Sequence, residues 1–108
     1  MEDNKKMLEA IRKELEAIYN GEQTDDDGEQ IDFYSYINTD VLDFNYIINA
    51  DKSYKACSLL IAFGGPNIYI NTWDQEIQLF WGGDHQTLWL PSEICNEIDA
   101  VMEEYYNC

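Results

Sequence analysis

The chain has 108 residues and a formal net charge of −16, with 22 acidic and 6 basic residues. From Glu14 to Cys108 there are nineteen acidic residues and only two basic ones, Lys52 and Lys55. This imbalance argues against binding to nucleic acid or to anionic lipid, because both require a basic surface. Hydrophobic residues make up 45% of the chain and aromatic residues 14%, so we expect one folded domain over residues 1–108 rather than disorder.

The compartment is inferred from the cysteines and from the lack of a long apolar run. No segment approaches the roughly 18–20 apolar residues that a membrane span needs, and residues 1–6 are not followed by the apolar stretch of a signal peptide. Cys57, Cys95 and Cys108 are an odd set without a CxxC spacing, which favours free thiols in a reducing cytosol. We expect Cys57 and Cys95 to be buried and Cys108 to be exposed.

The N-terminal third predicts one helix and one acidic loop. Apolar residues repeat every three or four positions over 3–20, and Gly21 follows as a stop signal. Residues 21–30 contain Asp25, Asp26 and Asp27 and nothing apolar, so a solvated, mobile loop is expected. A calcium loop starting at Asp25 would need glycine at its sixth position and glutamate at its twelfth. Gln30 and Tyr36 stand there, so no metal site is predicted.

The rest of the chain predicts a sheet followed by a helix. Residues 31–37 are either a short helix, with Ile31, Tyr34 and Ile37 on one face, or an irregular segment. Ser92 is a suitable N-cap for a last helix. Apolar residues between turn signals, mostly alternating but more continuous over 54–63, predict strands over 41–49, 54–63, 67–72, 76–81 and 87–90. This order predicts an α+β fold: an antiparallel four- or five-stranded meander with the N- and C-terminal helices packed on one face.

The last helix carries most of the candidate binding residues. Glu93, Glu97 and Glu104 fall within about 40° of one another on a helical wheel, and Asp99 and Glu103 fill the adjoining arc. No Lys or Arg occurs after residue 55, so nothing within this helix can neutralise the row. Two interpretations stay open: an ordinary solvated face, or a surface that recognises a basic partner.

The aromatic residues give a second, smaller set of candidates. Trp73, Trp81 and Trp89 are expected mainly to pack within the core and the sheet. Trp89 points away from its neighbours Leu88 and Leu90, so it is the best candidate for an exposed anchor at a protein interface.

Residues for catalysis or for a cofactor are scarce. His85 is the single histidine, and a pair with Cys95 has no supporting pattern. No phosphate-binding glycine motif, zinc-ligand spacing or metalloprotease motif occurs. Carboxylates are plentiful, but no pair is marked out as an acid–base couple. We therefore expect no catalytic residues, no metal and no cofactor.

Two resemblances bear on the function. The stretch 64–72, GGPNIYINT, followed by 80–84, FWGGD, resembles a pattern in small uncharacterised proteins of phages and mobile elements of Gram-positive bacteria. In size, acidity and lack of catalytic residues the chain also resembles anti-CRISPR and anti-restriction inhibitors, several of which imitate DNA. These resemblances imply an inhibitor that acts in the host bacterial cytosol.

The sequence therefore favours a non-enzymatic acidic protein that occupies a basic nucleic-acid-binding surface, such as that of a CRISPR effector nuclease. The expected contacts are the acids of the last helix and the acidic loop, with Trp89 as anchor. The alternative is a general interaction or assembly module of a mobile element, including a homodimer, whose acidity serves only solubility.

Overall fold

A computed structural model describes residues 2–108, with side chains from Asp3 onward, and it has the expected α+β fold. No helix in this part of the chain is long and apolar enough to cross a bilayer. The elements in chain order are α1 (Glu2–Tyr19), α2 (Phe33–Asp40), β1 (Asp43–Ile48), β2 (Tyr54–Ala62), β3 (Asn67–Asn71), β4 (Glu76–Trp81), β5 (Asp84–Trp89) and α3 (Ser92–Asn107).

The strands form one five-stranded antiparallel meander in the order β1-β2-β3-β4-β5. A row of apolar residues crosses it, because Leu59 pairs with Ile70, Ile70 with Ile77, and Ile77 with Leu88. Side chains alternate between the two faces of a strand, so the residues on either side of this row point to the opposite face. We call the face that carries this row the inner face and the opposite one the outer face.

All three helices lie over the inner face. α1 contacts β4 and β5, α3 contacts β2 and α1, and α2 contacts α3. The last helix that the sequence predicted is present as α3, and an apolar stripe along it joins the core. The buried residues of this stripe are Ile94, Ile98, Val101 and Met102. Cys57 and Cys95 are buried and Cys108 is exposed, as expected.

The short helix α2 forms, but it buries a different face from the one predicted. Phe33, Tyr36 and Ile37 are buried, whereas Tyr34 is exposed. The carboxylate of Asp32 accepts a hydrogen bond from the Ser35 N–H at 2.9 Å and caps the helix, which starts at Phe33, so Ile31 lies outside the helix and cannot share a helical face with Tyr34.

The predicted ends of two other elements differ from the structure. β5 begins at Asp84, because the Gly82-Gly83 turn pairs Trp81 directly with Asp84 although the first residues of the strand are polar. Ser92 is the first helical residue of α3 rather than its N-cap. Pro91 is the cap, in an extended conformation and without a side-chain hydrogen bond, and the Ser92 hydroxyl bonds to Glu93 instead.

The two glycine-containing stretches of the resemblance meet in the structure. Gly65 lies so close to the ring of Trp81 that a Cβ at this position would be 2.3 Å from Cζ3. The Asn67 side chain accepts a hydrogen bond from the Gly64 N–H at 2.8 Å, and the Asp84 carboxylate accepts one from the Asn4 amide at 3.2 Å. These residues therefore shape the end of the sheet and attach it to α1.

Candidate functional site

The acidic residues of α3 separate into two groups. Glu93, Glu97, Glu103 and Glu104 are exposed, so this row is available to a partner. Asp99 is half-buried and points the other way, towards the sheet. The expectation that Asp99 belongs to the exposed acidic face is therefore not met, because its side chain has partners inside the protein.

Asp99 belongs to a polar cluster between α3 and the inner face, made of Tyr54, Cys57, Thr72 and Asp99. Its carboxylate accepts hydrogen bonds from the Tyr54 hydroxyl at 2.5 Å and from the Thr72 hydroxyl at 2.8 Å. The Thr72 hydroxyl in turn accepts one from the Cys57 N–H at 2.9 Å. These contacts satisfy the polar groups of the cluster, so the cluster joins α3 to β2 and to the end of β3.

Burial is the main cause of the pKa shifts of the acidic groups in and beside this cluster. It raises the pKa of Asp99 above its usual value, although the hydrogen bonds from Tyr54 and Thr72 oppose the change. Burial also raises the pKa of the Cys57 thiol to about 11, and the pKa of the nearby Cys95 thiol to about 11. Both thiols therefore stay protonated at neutral pH and are poor nucleophiles.

Two of the exposed glutamates of α3, Glu97 and Glu104, line a cleft of about 220 Å³ between α1, α2 and α3, which we call the acidic cleft. Its floor is apolar and includes Ile18, Phe33 and Val101, which are all buried. Its rim consists of two exposed tyrosines and three carboxylates, namely Tyr19, Tyr34, Asp32, Glu97 and Glu104.

The acidic cleft combines the two features that a cationic side chain binds in proteins. Carboxylates attract Lys or Arg, and the face of a tyrosine ring stabilises the same cations by a cation–π interaction. Glu97 and Glu104 stand two helical turns apart, about 10 Å along the axis. No Lys or Arg occurs between residues 14 and 51 or after residue 55, so neither α2 nor α3 supplies a neutralising charge.

The acidic loop, residues 21–30, is attached beside this cleft. It follows Tyr19 at the end of α1 and leads into Asp32 at the start of α2, and both residues are on the rim. The loop is exposed, as expected, but it is locally hydrogen-bonded, since Thr24 bridges to Gln30 and the Asp25 carboxylate accepts from the N–H groups of residues 27 and 29.

The hydrogen bonds of the loop distinguish its three aspartates. The Asp25 carboxylate is occupied by the turn, with both N–H donors at 2.9 Å. The side chains of Asp26 and Asp27 lie on the exposed turn beyond it. These two carboxylates are therefore the loop charges that are placed to meet a partner.

A second, smaller cleft extends the acidic surface along the seam between α1 and α3. It has a volume of about 190 Å³ and is lined by Glu16, Tyr19 and Glu93, among others. Tyr19 belongs to both clefts, so Glu93, Glu97 and Glu104 follow one continuous surface along α3. Glu103 is exposed but lines neither cleft.

Another carboxylate pair lies apart from the acidic cleft. Glu14 and Asp40 line a cleft of about 330 Å³ together with Tyr36. Burial, and then the charge of Asp40, raise the pKa of Glu14. The sequence marked out no such pair, because the two residues are 26 positions apart on different helices.

The tryptophans are less buried than predicted. Trp73, Trp81 and Trp89 are all exposed, and Trp89 most of all at 61%. Trp73 lies in the turn between β3 and β4, and the Lys55 ammonium nitrogen lies 4.0 Å from the centroid of its ring. Trp89 is the last residue of β5 and lies on the outer face. Trp89 is thus exposed as expected, but on the side of the sheet away from the helices, so the acidic row and Trp89 do not form one site.

The structure separates the residues considered for catalysis. Phe80 pairs with His85 on the outer face, and their rings stack with centroids 4.4 Å apart. Cys95 is buried in α3 over the inner face, so the sheet lies between it and His85. Within residues 2–108 no group of three or more His, Cys, Asp or Glu side chains is arranged to hold a metal ion.

Sequence reasoning missed three residues of the cleft rim: Tyr19, Asp32 and Tyr34. Tyr19 and Tyr34 look like ordinary helix residues in the sequence, and only the packing of α1 and α2 against α3 brings them together. Asp32 could have been identified from the sequence as an N-cap, because Asp is favoured immediately before the first turn of a helix.

Comparisons with known proteins add no further candidate residues. No protein-family model matches the chain, and no curated protein or solved structure is significantly similar to it.

Proposed function

We propose that this protein is a non-enzymatic inhibitor whose acidic cleft binds a basic nucleic-acid-binding surface of a host defence protein. The observation that carries the proposal is the cleft itself, in which Glu97, Glu104 and Asp32 surround exposed tyrosines over an apolar floor. The most fitting target class is a CRISPR effector nuclease in the bacterial cytosol, because its nucleic-acid channel is a large cationic groove.

The charge of the chain supports binding to such a channel. A protein with a net charge of −16 is attracted over long range to a surface built for phosphates, which raises the association rate. Charge alone gives little affinity, since exposed ion pairs contribute only about 0–1 kcal/mol each. The apolar floor and the rim tyrosines supply the contact area that the ion pairs lack.

The first experiment identifies the target and then tests the cleft. The protein is used to capture candidate effector nucleases expressed in cells, and displacement of labelled target DNA from a captured nuclease is measured. We expect the double variant Glu97→Gln/Glu104→Gln to inhibit DNA binding at least about tenfold more weakly, a loss of about 1.4 kcal/mol.

The matched control removes the same two charges elsewhere. Asp74→Asn/Glu76→Gln changes carboxylates in the β3–β4 turn and at the start of β4, outside the acidic cleft. If both double variants lost inhibition equally, only net charge would matter and the cleft would not be the site. If neither lost inhibition, an apolar interaction module would replace the proposal.

A further inference from the structure

β1 is an edge strand with unpaired backbone groups. In the sheet order it has β2 on one side and no strand on the other among residues 2–108. The Phe44 N–H donates to the Asp43 carboxylate at 2.9 Å rather than to β2, so it points outward. Backbone groups alternate in an antiparallel pair, so Tyr46 also directs its N–H and C=O groups away from β2. The register shifts between Ile47 and Ile48, but the Asn49 N–H donates to the Ser53 carbonyl at 2.9 Å, so the neighbouring Ile48 faces away from β2 as well.

Two features limit pairing at the ends of this edge, namely the charge of Asp43 and the irregular register between Ile47 and Ile48, but the middle of the strand has none. β1 has the sequence DFNYII, without Lys or Pro. Apolar side chains along it are exposed, namely Leu42 just before the strand, Phe44 at 42% and Ile48. The edge therefore presents both a row of hydrogen-bonding groups and apolar surface.

A groove of about 440 Å³ runs beside the edge, between β1, α2 and the end of α3. We call it the edge groove. Its apolar and aromatic lining includes Ile37, Val41, Phe44, Tyr46 and Tyr105. The Tyr46 ring is held edge-on by Phe44 at 5.2 Å and by Tyr106 at 4.9 Å between ring centroids, so one wall is fixed by aromatic packing.

We propose that the β1 edge and the edge groove together bind an extended cationic peptide segment by strand addition. The peptide backbone pairs with the outward C=O group of Phe44 and the outward N–H and C=O groups of Tyr46 and Ile48, and alternate apolar side chains enter the groove. The remaining side chains of the peptide, Lys or Arg, face the outer side of the sheet, where Asp43 lies on β1.

Charge indicates whether a peptide or a second copy of the chain occupies the β1 edge. Asp43 lines the edge groove and Asp40 ends α2 beside it, whereas no Lys or Arg lines the groove. A second copy would bring another net charge of −16 to this edge. Lys52 in the β1–β2 turn and Lys55 on β2 reduce the negative charge near this edge, but the net charge of the protein still attracts a cationic segment and repels a second copy, so the cationic segment is the favoured occupant. This site is separate from the acidic cleft and does not depend on the proposed function.

The test uses a synthetic heptapeptide of alternating Lys and Val, acetylated and amidated at its ends, added to the full-length protein. Amide exchange measured by NMR should slow at least about fivefold at Tyr46 and Ile48, because their N–H groups become paired. A peptide methylated on the backbone nitrogens that face β1 should bind about tenfold more weakly, since it cannot form these hydrogen bonds.

Two protein variants test the groove. Phe44→Ala removes a groove side chain and should weaken peptide binding about tenfold. Phe63→Ala removes an equally large apolar side chain that is 75% exposed and lies outside the groove, so binding should stay unchanged. The methylated peptide needs no change in the protein and keeps the test decisive if Phe44→Ala does not fold.

Three results would overturn the proposal. Equal binding of the methylated peptide would mean attraction by charge alone. Slow exchange at Tyr46 and Ile48 without peptide, increasing with protein concentration, would show that a second copy occupies the edge. Equal loss of binding in Phe44→Ala and Phe63→Ala would place the apolar contact outside the groove.

Discussion

The carboxylate of Asp99 lies between α3 and the sheet, where Tyr54 and Thr72 donate hydrogen bonds to it. Its neighbours Glu97 and Glu104 on the same helix face solvent beside exposed tyrosines. Chemically similar residues on one helix thus have opposite roles, and the environment of each side chain decides which. The glutamates are accessible to a partner, whereas Asp99 contributes to the packing of α3 on the sheet.

The Thr72 hydroxyl joins this cluster, and its removal provides a test of stability. Thr72→Val keeps the shape but leaves the buried Cys57 N–H without its acceptor and Asp99 with one donor fewer. We expect a loss of about 1–3 kcal/mol in the free energy of unfolding, measured by urea denaturation. Thr87→Val, at an exposed position on β5, is the control and should stay within about 0.5 kcal/mol of the parent. Equal stability of the two variants would contradict the structural role of the cluster.

At the scale of elements, the sequence predicted the meander because β1, β3 and β4 largely alternate apolar and polar residues, and β2 is a nearly continuous apolar run, between clear turn signals. It missed the start of β5, since Asp84, His85 and Gln86 are polar and are held in the sheet by pairing with β4. It also missed the acidic cleft, because Tyr19, Tyr34 and Glu104 come from three helices. Their meeting depends on how the helices pack, which no local pattern encodes.

The close contact between Gly65 and the Trp81 ring leads to a stability prediction for this end of the sheet. Gly65→Ala places a methyl group against the Trp81 ring, which must move, and should cost about 1 kcal/mol or more. Gly83→Ala has no heavy atom within 4 Å of the new Cβ and serves as the control. In a double-mutant cycle with Trp81→Ala, measured by thermal denaturation, the cost of Gly65→Ala should nearly vanish. A cost that is the same with and without the Trp81 ring would rule out this contact as the cause.

At the scale of the whole molecule, charge and aromatic surface are distributed unevenly. Basic residues of α1 lie between residues 5 and 13, whereas the acidic cleft begins beyond them at Ile18. No Lys or Arg lines the acidic cleft or the cleft along the seam between α1 and α3, so together with the acidic loop they form an acidic surface. The outer face of the sheet carries Phe80, His85 and Trp89 instead, and the β1 edge adds an apolar border.

The most direct test of the proposed function is the salt dependence of the complex with a captured nuclease. Dissociation constants are measured at increasing salt for the parent and for Glu97→Gln/Glu104→Gln. We expect the affinity of the parent to fall steeply with salt, because ions screen charges over about 10 Å at 0.1 M. The affinity of the variant should fall less steeply. A complex whose affinity is independent of salt, or equal slopes for both proteins, would contradict the proposed function.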